Sequence, residues 1–142
     1  MGKVQMKRIV IDTNVLINGL LFGGPAAELA ELWRNQKIKI FCSREMVQEY
    51  LRVLSYPGFR LSVSEVDYLF THEIMACFEV IQAKPGKAYV KEDPEDDKFI
   101  WCAIACGAKA VVSGDAHLLN LKKSSVPVLS VVNFLKKAKP RP

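Results

Sequence analysis

Short, nearly unbroken apolar runs alternate along this chain with segments whose apolar residues recur at helical spacing, and that alternation restricts the fold more than any other feature. Ile9-Val10-Ile11 closes on Asp12, and Thr13 to Phe22 then carries its apolar residues along one helical stripe. Gly23-Gly24-Pro25 interrupts the pattern, with Pro25 suited to the first turn of a second helix through Trp33. Ile38 to Cys42 is a predicted strand. Ser43 caps a helix with Met46, Val47, Tyr50, Leu51 and Leu54 on one face, ended by Tyr56-Pro57-Gly58. Ser62 with Glu65 reads as a capping box for a helix through about Phe78, and Ala83-Lys84-Pro85-Gly86 as a loop. Asp93 and Pro94 read as the cap and first position of a helix running to Gly107. Ala108 to Ser113 is a buried-looking strand, Gly114-Asp115 a turn and His117 to Leu121 a short helix. Val126 to Leu129 is a last strand before a C-terminal helix.

Strands with near-continuous apolar runs belong to parallel sheets covered on both faces. The expected fold is therefore α/β, a Rossmann-like three-layer arrangement with a central, mostly parallel sheet flanked by helices. Such sheets bind ligands beyond the carboxyl ends of their strands. Asp12 and Asp115 are each the first acid after such a strand, so the topology alone directs both into that crevice.

With half its residues hydrophobic and a quarter charged, the chain is too apolar to stay disordered. Its 142 residues suit a single domain over 1–142, with an ordered core of about 7–135 and a short basic tail at 136–142. Four of the five net positive charges are Lys136, Lys137, Lys139 and Arg141, so the body of the chain is nearly neutral and net charge alone is no sign of nucleic-acid binding. No apolar run has the length of a membrane span or the shape of a signal peptide, so a cytoplasmic protein with no membrane association is expected. Cys42, Cys77, Cys102 and Cys106 form no C-x-x-C pair and read as buried reduced thiols rather than zinc ligands.

Four acids become informative together. Alone, Asp12 would be a helix cap, Asp115 a turn residue and Glu49 a surface residue near Arg52. Asp97 lies past the positions capping would use, in line with Ile100 and Trp101 on an inward helical face. Asp93 and Asp96 read better as caps, with Asp96 also open to an outer role in the same site. Converging carboxylates repel by about 4 kcal/mol per pair at ~4 Å and an effective dielectric of ~20, so a cation must compensate. All-oxygen ligation suits Mg2+ or Mn2+.

The segments Ile11-Asp12-Thr13-Asn14-Val15-Leu16-Ile17, Ser43-Arg44-Glu45-Met46-Val47-Gln48-Glu49-Tyr50-Leu51, Asp93-Pro94-Glu95-Asp96-Asp97-Lys98-Phe99-Ile100 and Val111-Val112-Ser113-Gly114-Asp115-Ala116-His117-Leu118-Leu119, in this order, resemble a PIN domain over nearly the whole chain. The likeness is strongest to the toxin components of toxin–antitoxin modules related to the VapC ribonucleases. The resemblance implies a Mg2+- or Mn2+-dependent endoribonuclease hydrolysing RNA phosphodiester bonds, with an antitoxin as protein partner and a homodimer as its assembly. Matched position by position, it implies that Asp12, Glu49, Asp97 and Asp115 are the catalytic and metal-binding acids, and that Thr13, Asn14 and Ser113 orient them, with Asp96 beside them. Glu49 would either hold a second ion or orient and deprotonate the attacking water. Lys98 departs from the branch, which often carries Asn there. Two other readings compete. A phosphatase using Asp-x-Asp after its first strand is disfavoured by Asn14, and a catalytically idle PIN-like module would bind RNA or a protein partner without cutting.

Overall fold

The computed structural model describes residues 6–121 and 124–138. In β1 (Lys7–Ile11), Ile9, Val10 and Ile11 are all wholly buried, as only a strand covered on both faces allows. β1 pairs in parallel with β2 (Ile38–Ser43) on one side and, across the sheet, with the later strand Ala110–Val112 on the other. With β3 (Phe78–Ile81) beside β2, that later strand as β4, and β5 (Val128–Leu129) beside it, the sheet has five parallel strands in the order β3-β2-β1-β4-β5. The chain thus builds outward from β1 in one direction, then returns to build outward in the other. The reversal falls between β1 and β4.

Helices fill the crossovers. α1 (Thr13–Ile17) continues into a π-helical turn, Asn18–Phe22, and α2 (Pro25–Arg34) starts on the proline as expected. α3 (Arg44–Leu54) is capped by Ser43, whose Oγ accepts the Met46 amide. α4 (Val63–Leu69) begins with the capping box of Ser62 and Glu65, and passes into a second π-helical turn, Phe70–Met75. α5 (Asp97–Cys106) packs against β1, β2 and β4, burying Phe99, Ile100, Cys102, Ala103 and Cys106. Gly107 ends it in the left-handed region at φ +67°, where a side chain would be strained. α6 (Ala116–Leu119) and α7 (Val131–Ala138) complete the layers, and no single helix among the described residues is long and apolar enough to cross a membrane.

The expected α/β three-layer fold is what forms. Two elements differ from the sequence reading. A strand, β3, follows directly where a helix was expected to run out near Phe78. Phe78 is buried edge-on against Trp33, with ring centroids 5.3 Å apart, while Glu79 and Val80 are exposed, so this edge strand carries little apolar pattern. In the second, Pro94–Asp96 is a separate 3-10 turn and α5 begins only at Asp97. Of the expected basic tail, Lys136 and Lys137 are exposed at the end of α7, and residues 139–142 lie outside the described residues.

Tyr50 ties α3 to the strand that carries Asp12. Its ring is fully buried and its Oη donates to the Ile11 carbonyl at 2.9 Å. Tyr50→Phe removes that bond and leaves a buried carbonyl short of a donor, so urea unfolding should show a loss of about 1–2 kcal/mol. An unchanged midpoint would mean that the bond contributes nothing.

Candidate metal centre

Asp12 leaves β1 with an extended backbone, and its amide continues the ladder to the Val112 carbonyl at 3.1 Å. This pairing sets Asp12 beside Ser113, the residue after β4. The Ser113 hydroxyl donates to Asp12 Oδ2, while Oδ1 accepts the Val15 amide at 2.9 Å and caps α1. The same Ser113 Oγ accepts the Asp115 amide at 2.9 Å, and Asp115 Oδ1 accepts the His117 amide at 2.7 Å to cap α6. Both acids therefore do the bland capping job and are also fixed side by side. Burial raises the Asp12 carboxyl above its ordinary range; the Ser113 bond and the Val15 and Gly114 amides oppose that, and the Asp115 charge adds to it.

Asp93, Asp96 and Asp115 form the tightest acidic group among the described residues, with one carboxylate oxygen from each lying within 4.8 Å of the others. Asp93 and Asp96 were expected as caps, but neither makes a side-chain capping bond. The 3-10 turn instead swings both toward Asp115. Asp96 pays for the crowding: its carboxyl is pushed up to about 7, first by burial, then by the charges of Asp93 and Asp115, with Lys98 pulling the other way.

Asp97 sits next in sequence and does something different. Only 3% exposed, it accepts the Tyr89 and Val90 amides on Oδ1, each at 2.8 Å, and so stitches the segment before α5 onto the helix start. It is buried, as its inward phase predicts, but it lies outside the three-carboxylate group. Successive helical residues point about 100° apart, and here that rotation separates an acid facing the crevice from one facing its own loop.

Glu49 reaches from α3 toward the same end of the sheet. Thr13 Oγ1 donates to its Oε2, and Lys98 Nζ lies 2.7 Å from Oε1, with Arg52 at 3.6 Å. Lys98 was read only as a departure from a family pattern. It is in fact 6% exposed and donates to the Glu95 carbonyl at 2.6 Å. Nothing in the sequence distinguishes it from a solvated lysine beside acids. Of the expected orienting residues, Thr13 holds Glu49 and Ser113 holds Asp12, whereas Asn14 is exposed and takes no part in these bonds.

A hard divalent cation fits this donor set. The available donor atoms are carboxylate oxygens from three residues, as Mg2+ and Mn2+ prefer, and a cation among them would relieve the repulsion from Asp93 and Asp115 that adds to burial in pushing Asp96 up.

Because the folded-state pKa of Asp96 lies above its value of 3.8, the folded protein holds the extra proton between roughly pH 4 and 7. Metal-free stability therefore falls as pH rises through that window. Asp96→Asn removes the ionisation. In metal-free protein the variant should melt higher than wild type at pH 8, with a smaller advantage at pH 5 that vanishes below about pH 4. A wild type that melts higher at both values would show that Asp96 is not under electrostatic strain.

Comparison with known proteins agrees with this architecture. The family model described as PIN domain matches residues 8–117. Among solved structures, the chain is similar to PAE2754 from Pyrobaculum aerophilum, with a TM-score of 0.59 and 17% identity over 94% of this chain and 95% of that one. At that identity the likeness speaks for the fold alone. No curated protein matches in sequence. On the span of the family match, the chain belongs to the PIN-domain family, whose members are in general metal-dependent nucleases.

Proposed function

We propose that this protein is a Mg2+- or Mn2+-dependent endoribonuclease acting as the toxin of a toxin–antitoxin module. The observation that carries the nuclease reading is the convergence of Asp93, Asp96 and Asp115 within 4.8 Å, beside Asp12, where the chain reverses direction across the sheet. Four acids with little positive charge to balance them are poor at attracting RNA unaided, but they suit a cation that neutralises both protein and phosphate.

Asp93, Asp96 and Asp115 would hold the ion, and Asp12, locked by Ser113 and Val15, would complete the acidic face toward substrate. Of the acids the motif likeness selects, Asp12 and Asp115 stay in this reading, Glu49 stays as the group that would orient and deprotonate the attacking water, and Asp96 takes the ligand place first expected of Asp97. Asp97 then acts by fixing the segment around Val90. When bound, the ion would polarise the scissile phosphate and lower the pKa of a water for in-line attack. RNA as substrate, the toxin role, an antitoxin partner and a homodimer all rest on the motif likeness, and a cytoplasmic location rests on a sequence in which no apolar run has the length of a membrane span or the shape of a signal peptide. Tyr68 and Met75 are exposed on α4 and its continuation, which supports that stretch as a dimer surface.

The test is cleavage of a mixed RNA panel with Mn2+ or Mg2+, and with EDTA, by wild type, Asp96→Asn and Asp115→Asn. Wild-type cutting should require the ion and fall on the order of a hundredfold or more in either variant, as expected if the ion supplies several kcal/mol. Cutting that survives EDTA would refute the metal mechanism. RNA binding without cutting, by folded protein free of any antitoxin, would favour the idle binding module instead.

A further inference from the structure

Lys98 is the feature this reading leaves unexplained. It is the second residue of α5, where the helix dipole disfavours a cation, and it is almost wholly buried, where an ammonium is costly unless paired. Its partners account for its position. Nζ lies 2.7 Å from Glu49 Oε1, donates to the Glu95 carbonyl at 2.6 Å and sits 3.8 Å from Glu95 Oε2.

We infer that the Lys98 ammonium is a built-in substitute for a second metal ion, so that the site takes one divalent cation, at Asp93, Asp96 and Asp115, and Glu49 is not a metal ligand. The inference rests on the metal-site reading above. Glu49 has Thr13 on one oxygen and Lys98 on the other, with the Arg52 guanidinium at 3.6 Å. A divalent ion joining Oε1 would have to sit against an ammonium already at contact distance, and burial keeps water from screening the two. Lys98 thus acts as a positioning residue. It holds Glu49 in place and supplies, as part of the chain, positive charge that a two-ion site takes from solution.

Counting bound Mn2+ by electron paramagnetic resonance, with calorimetry for affinity, tests this without reference to activity. Wild type should bind one ion per chain, Asp115→Asn should bind none at the same concentrations, and Glu49→Gln should still bind one with affinity within a few-fold of wild type. Lys98→Met should gain a second ion that Lys98→Met/Glu49→Gln loses again, while Lys98→Arg keeps the count at one. Two ions in wild type, falling to one in Glu49→Gln, would overturn the inference and leave the metal site standing. So would a Lys98→Met protein that still binds one ion. If Lys98→Met fails to fold, the Glu49→Gln count decides alone. No Mn2+ bound by wild type would instead sink the metal-site reading itself.

Discussion

The parallel pairing of β1 with β4 is the constraint on which the site depends. These strands are far apart in sequence and adjacent only because the chain reverses its direction of build at the centre of the sheet. Their register sets Ile11 opposite Val112, so the next residues, Asp12 and Ser113, meet at the carboxyl end, where the Ser113 hydroxyl donates to the Asp12 carboxylate and accepts the Asp115 backbone amide. That contact holds Asp12 against the apolar core that would otherwise expel it. The hydrophobic burial of Ile9, Val10, Ile11, Val111 and Val112 stabilises the pairing strongly enough to keep like charges close. Like charges are thus crowded at one edge, and groups whose pKa values are perturbed in this way cluster at functional sites.

How charge is balanced around that edge differs from residue to residue. Asp12 is offset by a hydroxyl and amides, Asp97 by two loop amides, and Glu49 by a buried lysine and a threonine. Only Asp93, Asp96 and Asp115 face one another without an internal cation at contact distance among the described residues, and Asp96 shows the strain. The same stretch of chain, from Asp93 to Lys98, therefore supplies two of the three clustered carboxylates, a loop anchor and a fixed positive charge within six residues.

The layered fold was legible because its signal is repeated. Buried strands carry nearly unbroken apolar runs, helices are punctuated by Ser43, Ser62 and Pro25, and the two patterns alternate. β3 escaped because an edge strand with Glu79 and Val80 exposed has no continuous apolar run. At the site, strand ends direct Asp12 and Asp115 to the crevice, whereas Glu49 stands out only through the motif likeness. The Asp96/Asp97 choice was not decidable from periodicity. It turns on whether residues 94–96 form a 3-10 turn or the first turn of α5, a difference of one hydrogen-bond register that the sequence Asp-Pro-Glu-Asp-Asp leaves open. Lys98 was hidden for a similar reason, since only the packing of α3 beside α5 buries its ammonium.

The most direct test of the central claim is an anomalous difference map from crystals soaked in Mn2+. The account predicts a peak ligated by Asp93, Asp96 and Asp115, with Asp97 Oδ1 still on the Tyr89 and Val90 amides. A peak ligated by Asp97, its loop bonds broken, or by Glu49 in place of Lys98, would contradict it.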